Sequence, residues 1–259
     1  MSTIEEWRKY REHAVSDFQG DLALVAMHSI EGPTQVPGIP GLWKPLAADQ
    51  TGLSLTASAR DGITVDGQLV EGTVTLEADR SIVRFSETLT ATATHQPGSN
   101  HLLAIYDAKA DAIARFGGIS SYPENPEWVV EAEFVSEDRD RMVAFAHKSD
   151  QSGTVRHHES PGDIQFTKDG VSYRLSPFAS DGSLVIVFGD KTNGKETYGM
   201  GRMLVVSIDA ENKVILDFNR AILPPCAFSY HFNCPLPPAH NRLPFEVTAG
   251  EKQVVHRAV

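Results

Sequence analysis

The chain has 259 residues, 41% of them hydrophobic, with a formal net charge of -11 and only two cysteines. The apolar content supplies a core and excludes general disorder, and the negative balance repels phosphate backbones, which argues against nucleic acid as a partner. Two cysteines are too few for a disulfide framework, no apolar run is long enough to span a bilayer, and the first ten residues lack the apolar stretch of a signal peptide. A cytoplasmic protein with reduced thiols and no membrane partner is therefore expected.

One segment reads as helix. Ile4, Trp7, Ala14, Val15 and Phe18 fall on one face at helical spacing. Ser2 with Glu5, and Thr3 with Glu6, have capping-box spacing, and Gly20 supplies a stop. This predicts an amphipathic helix over residues 1–20 packed on a sheet, with Trp7 and Phe18 buried. A fully buried Trp7 would make Trp7→Ala cost about 3–5 kcal/mol.

From about Asp21 onward the pattern is short strands with frequent turns. Asp66-Gly67 and Asp169-Gly170 each separate two alternating runs, the signal of a tight hairpin. Further strands are expected over Thr88 to Thr94, Leu102 to Tyr106, Ile113 to Phe116, Val129 to Phe134, Met142 to His147, Leu184 to Phe188, Met203 to Ile208 and Val214 to Phe218. Roughly a dozen short strands at this spacing predict a mostly β protein, an antiparallel sandwich or barrel-like architecture, with residues 21–259 as a single β-rich domain. No helix-length segments alternate with the strands, which disfavours a parallel sheet.

Four features carry chemistry. Gly189 to Lys195 matches most of a phosphate-binding loop, but Glu196 stands where Ser or Thr must hold magnesium and a strand-like run follows, so nucleotide binding is rejected. His157 and His158 are neighbours on a strand and point to opposite faces, which makes them surface residues rather than two ligands of one ion. Cys226 and Cys234 are flanked by prolines. They read as half of a zinc site with His231 and His240, as a redox or nucleophilic pair, or as small apolar side chains in a stiff loop. The zinc signal is weak without closer spacing, and no metal is expected there. The stretch from Leu216 to Pro244 mixes prolines, which fix backbone shape, with polar groups able to bind.

Phe188 to Arg202, Asp217 to Ala221, Pro224 to Phe228, Cys234 to Pro238, Asn241 to Pro244 and Ala249 to Lys252 together resemble the signature of the uncharacterised family called domain of unknown function 1684. The resemblance is dense from about Leu184 to Lys252, reaches back to Tyr122-Pro123, and is loose over the first hundred residues. It implies no activity. The chain departs from the family pattern at Ile222-Leu223, at Tyr230 to Asn233 and at His240, so His231 and His240 look like local substitutions, which weakens the zinc reading.

The expected site is a polar pocket built from Tyr198, Arg202, Asp217, Asn219, Arg220, Cys226, Asn241 and Arg242. Three arginines favour a small anionic ligand, carboxylate or phosphate, because the guanidinium fork binds such groups bidentately. Cys226 is the nucleophile candidate of the segment, and no motif names a cofactor. The first alternative is a non-catalytic structural or interaction protein whose C-terminal motif is a salt-bridged loop anchor. The second is a zinc-dependent protein using the cysteine pair. Register adds one expectation. If Met203 to Ile208 and Val214 to Asn219 form a hairpin with Asp209 opposite Lys213, the paired face is apolar and Arg202 lies opposite Arg220. Like charges opposite each other need an anion between them, either a ligand or one of Glu251, Asp190 and Glu196.

Overall fold

The computed structural model of the chain describes residues 3–138, 140–180 and 182–257. Helix α1 (Ile4–Ser16) opens with the expected capping box: Thr3 N–H donates to Glu6 Oε2 at 2.9 Å and Glu6 N–H donates to Thr3 Oγ1 at 3.2 Å. The second capping pair expected, Ser2 with Glu5, begins outside the described residues. The helix stops at Ser16, before Phe18, which lies beyond it and is 38% exposed. The expected burial of Phe18 is thus corrected. Gly20 closes the end, where a Cβ would sit 2.4 Å from the Ala14 carbonyl oxygen.

The chain divides into two compact units, His13–Arg115 and a discontinuous one made of Met1–Glu12 with Phe116–Val259. This differs from the helix followed by one β-rich domain expected from sequence, because two separate apolar clusters form instead of one. α1 crosses the division.

The continuous unit contains β1 (Leu24–Ser29), β2 (Leu42–Pro45), β3 (Leu53–Ala57), β4 (Thr64–Val65), β5 (Gln68–Leu69), β6 (Gly72–Leu76), β7 (Ile82–Arg84), β8 (Leu89–Gln96) and β9 (Ser99–Asp107). They form a six-stranded sheet of order β1-β9-β8-β7-β4-β5 and a three-stranded sheet β2-β3-β6. Trp43, Leu53, Leu55, Ile63, Leu76 and Leu103 are fully buried in its core. The Asp66-Gly67 hairpin forms as expected, with φ of 50° and 82° at the two turn residues. A short helix α2 (Asp111–Arg115) replaces the strand expected over Ile113 to Phe116; Asp111 and Arg115 pair across one turn at 3.5 Å.

The discontinuous unit contains β10 (Phe116–Ser121), β11 (Val129–Ser136), β12 (Met142–Phe145), β13 (Arg156–Glu159), β14 (Gly162–Lys168), β15 (Val171–Leu175), β16 (Phe178–Ser180), β17 (Ser183–Phe188), β18 (Arg202–Val206), β19 (Lys213–Asp217) and β20 (Glu251–His256). Its core lies between a four-stranded sheet β15-β14-β11-β19 and a three-stranded sheet β16-β17-β18. Alternate residues of each sheet turn inward: Phe166, Val214 and Leu216 from the first, Ile186, Phe188 and Leu204 from the second. The arrangement is mostly β and sandwich-like, with antiparallel sheets and, among the described residues, no closed barrel. No helix of the described residues is long and apolar enough to cross a membrane.

Within this unit α1 is tied down by polar groups rather than by the apolar stripe expected. Arg8 Nη2 donates to the Tyr122 carbonyl at 2.5 Å, Arg11 Nε donates to Glu251 Oε1 at 3.0 Å, and Glu12 Oε1 accepts Ile119 N–H at 2.9 Å. Trp7 is only half-buried, with the Arg220 guanidinium 5.4 Å from its ring centroid.

The expected hairpin between β18 and β19 is also corrected. The turn closes, with Asp209 N–H donating to the Lys213 carbonyl at 3.0 Å, but β18 pairs with β17 and β19 pairs with β11. A 3-10 turn over Phe218–Arg220 displaces the returning chain, so that Met203 meets Ile222 rather than Asn219. The inward face was assigned correctly by alternation, since Leu204, Val206, Val214, Leu216 and Phe218 all enter one core. Alternation fixes the face a side chain takes and leaves its partner strand open. Leu216→Ala should therefore cost about 2–5 kcal/mol in denaturant unfolding, as for a fully buried leucine. Trp7→Ala should cost about 1–2 kcal/mol, because its ring is only partly buried.

Candidate functional site

The residues expected to share one pocket are distributed over separate places. Arg202 opens β18 beside Phe188 and is fully buried, its guanidinium carbon 5.3 Å from the Phe188 ring centroid. Nη2 donates to Asp190 Oδ2 at 2.8 Å and to the Val247 carbonyl at 2.7 Å. Nη1 donates to the carbonyls of Ala249 and Glu251. Asp190 is as deeply buried, and its other oxygen accepts Thr192 N–H at 2.8 Å and Thr192 Oγ1–H at 2.5 Å. The segment resembling a phosphate loop is thus a knot of turns whose carboxylate neutralises a core arginine.

Asp217, Asn219 and Arg220 form a second place. Asp217 caps the 3-10 turn, accepting Asn219 N–H at 3.1 Å and Arg220 Nε–H at 3.2 Å. Asn219 accepts Asn125 N–H at 2.9 Å and donates to the Asn125 carbonyl at 3.0 Å, pairing both backbone polar groups of that residue in the Tyr122–Pro126 loop. Asn241 does the same for Ser176: its Oδ1 accepts Ser176 N–H at 2.8 Å, and its Nδ2 donates to the carbonyls of Ser176 and Val187, both at 2.9 Å. Each side chain satisfies backbone groups that burial would otherwise leave unpaired. Arg242 stands exposed beside Gly189. Among the described residues Arg202 and Arg220 pair with different carboxylates: Asp190 serves the first, Asp217 the second, and Glu251 accepts from Arg11 and from Leu223 N–H at 2.7 Å. The expected bridge between the two arginines is replaced by two separate pairs.

Tyr198 and Cys226 do come together. Cys226 sits in a 3-10 turn over Pro225–Ala227, and its N–H donates to Cys234 Sγ at 3.3 Å. The Tyr198 hydroxyl donates to the Cys226 carbonyl at 3.0 Å and lies 3.7 Å from Cys226 Sγ. The Cys234 thiol hydrogen-bonded to its sulfur brings the Cys226 thiol down to about 7 against the effect of burial, with the Tyr198 hydroxyl and the Lys148 charge acting the same way. Burial drives the Tyr198 hydroxyl upward, so it stays protonated as a donor.

Sequence reasoning missed what holds Cys234 in place. Lys148 N–H donates to the Cys234 carbonyl at 3.0 Å, Ser149 N–H to Asn233 Oδ1 at 2.8 Å, and Asn233 Nδ2 to Asp150 Oδ1 at 2.8 Å. Arg156 grips Asp150 at 2.7 Å, which depresses the carboxyl to about 2. His147 Nδ1 is 2.8 Å from the Asn233 carbonyl and its Nε2 is 2.9 Å from His158 Nε2. A carbonyl only accepts, so Nδ1 of His147 carries the proton and His158 Nε2–H donates to His147 Nε2. His157 is exposed as expected, but His158 is buried against Phe145 and Phe178, a correction to its surface assignment. A signal existed for His147, since Val143, Phe145 and His147 alternate on one inward face. His231 stacks near Tyr230 and His240 lies beside Arg174 and Asp163. Among the described residues no group of three or more His, Cys, Asp or Glu side chains is arranged to hold a metal ion.

The family model described as protein of unknown function DUF1684 matches residues 114–252, more than half of the chain. The chain belongs to that family. It is similar to an uncharacterized protein of Haloarcula marismortui solved by solution NMR, at 32% identity over 53% of this chain and 77% of that one, with a TM-score of 0.44. No curated protein matches. The DUF1684 match takes in the Arg202 cage, both asparagine clips and the cysteine pair.

The buried histidines give the DUF1684 unit a specific acid response. His158 is lowered from 6.5 to about 4, first by burial and then by His147 and the neighbouring cation Arg156. Its folded value lies below its unfolded one, so the stability it contributes is complete above about pH 6.5 and falls as pH drops from there toward 4. The loss should be on the order of 3 kcal/mol, measured by denaturant unfolding at a series of pH values. His158→Phe should flatten this part of the profile while leaving the carboxylate limb below pH 4.

Proposed function

We propose that the chain is an interaction protein in which the polar part of the family motif is a salt-bridged anchor. The observation that carries this reading is the complete internal pairing of the Arg202 η nitrogens with Asp190 and three backbone carbonyls at zero exposure. With both η nitrogens so engaged, and only the buried Nε–H without a partner, this guanidinium presents no exposed face to an anion. The asparagine clips support the same reading.

The surface that suits an interaction role is the outer face of β14, β11 and β19 with the edge of β18. β18 and β19 are joined at Asp209–Lys213 and at Met203–Ile222, and among the described residues no backbone hydrogen bond links Val205 to Asp217 or Ser207 to Ile215 between those points. A cleft of about 840 Å³ lies along this face. Val129, Val205 and Ile215 are 47%, 52% and 49% exposed on it. Glu131, Glu133, Asp209, Glu211 and Asp217 outnumber Lys213 and Arg220 there, and both cations are already paired, with Glu211 and Asp217. Exposed apolar groups within an acidic rim suit a cationic, partly apolar partner segment.

Two measurements test the reading. Arg202→Met should destabilise the protein by about 3–5 kcal/mol, because Asp190 is left buried and unpaired, and Arg202→Lys should recover only part of that loss. An extended peptide alternating Lys and Val should bind in a salt-sensitive manner, more tightly than its Glu and Val counterpart, and Glu131→Lys with Glu133→Lys should weaken it about tenfold. The rival small-anion reading now rests on Arg242, the exposed member of the expected set. A thermal shift with small carboxylates or phosphates that disappears in Arg242→Ala would establish it instead.

A further inference from the structure

The cysteine pair is not used by the anchor and stands independently of it. Cys226 and Cys234 are 5% and 7% exposed, so bulky reagents are kept out and only a small reagent fits. They are held as a pair from both sides. The prolines Pro225 and Pro235 fix the backbone beside each thiol. The 147–150 segment grips Asn233 and Cys234, and Tyr198 and Lys148 both donate to the Cys226 carbonyl, at 3.0 and 3.4 Å. The intervening loop turns outward at its tip, where Tyr230 is 77% exposed, while Phe228 within it is buried.

We propose that Cys226 and Cys234 form a reversible dithiol site for hydrogen peroxide, with Cys226 as the attacking sulfur and Cys234 as the resolving one. The Cys226 thiolate attacks one peroxide oxygen, the O–O bond breaks, and the departing hydroxide takes a proton to leave as water, giving a sulfenic acid at Cys226. The Cys234 sulfur then attacks the Cys226 sulfur, the S–O bond breaks, a second water leaves with the Cys234 proton, and the S–S bond forms. The two thiols lose two electrons and the peroxide gains them. Two equivalents of a low-molecular-weight thiol restore the pair by exchange, leaving as their own disulfide. Cys226 is assigned the attack because its sulfur receives the hydrogen bonds. The Cys234 S–H donates to it, the Tyr198 hydroxyl dipole lies 3.7 Å away, and Lys148 adds positive charge, which favours its thiolate. Cys234 is assigned resolution because its sulfur already lies 3.3 Å from the Cys226 nitrogen.

The test uses the native full chain and hydrogen peroxide. Thiol titration after unfolding should fall from two groups to none, the intact mass should drop by two hydrogens without gaining oxygen, and dithiothreitol should restore both. Cys234→Ser should stop at the sulfenic acid, gaining one oxygen and reacting with dimedone. In Cys226→Ser the remaining thiol should survive. Tyr198→Phe should slow the wild-type conversion several-fold while leaving its end point unchanged. The proposal fails if both native thiols persist under peroxide that consumes free cysteine, or if oxidation adds oxygen without forming the S–S bond. It also fails if Cys226→Ser oxidises as fast as Cys234→Ser. The wild-type mass decides the matter should a serine variant not fold.

Discussion

A guanidinium with no exposure organises the discontinuous unit. Arg202 would carry a heavy desolvation cost alone, and its four η hydrogens are met by Asp190 and by the carbonyls of Val247, Ala249 and Glu251. Those partners come from the turns after β17 and from the segment entering β20, so one ionic group dictates where both must lie. Asp190 in turn orders its own loop through Thr192 and receives Val247 N–H. Removing the charge would leave an acid buried in the same cage, which is why the loops on this side of the core are specified so tightly.

The two asparagines extend the same logic without charge. The backbone of one residue presents one donor and one acceptor, and a carboxamide presents the complementary pair. Asn219 meets Asn125 and Asn241 meets Ser176 in this manner, so loops lacking strand partners are nonetheless satisfied. Polar residues dense in a short stretch of sequence suggest a ligand site, yet here they substitute for missing sheet.

How much was legible follows from range. The Asp66-Gly67 and Asp169-Gly170 hairpins, the Thr3 and Glu6 cap and the inward face of β18 and β19 depend on neighbours a few residues away, and all were readable. The partner strand of β19, the division into two cores and the attachment of α1 depend on residues far away in the sequence, from Glu133 opposite Lys213 to Glu251 opposite Arg11. No local pattern signals that Arg11 will meet Glu251 or that three residues of 3-10 turn will carry the chain past Asn219. The site was legible in part for the same reason. The sequence marked the residues that matter, including Cys226 with Tyr198, but a pattern of residue types does not say whether an arginine's partner is a ligand or the protein's own aspartate.

The pairing of Arg11 with Glu251 spans 240 residues of chain, and it closes a unit built from both ends of the sequence. On a ribosome the two halves of that unit are made far apart in time. The continuous unit, His13–Arg115, is complete long before β20 exists and is free to fold as it emerges. At about 5–20 residues per second, Arg8, Arg11 and Glu12 wait on the order of ten seconds or more for the last of their partners. During that interval the helix has its capping box but not its docking contacts, so assembly of the second unit is necessarily a late step that waits for β20.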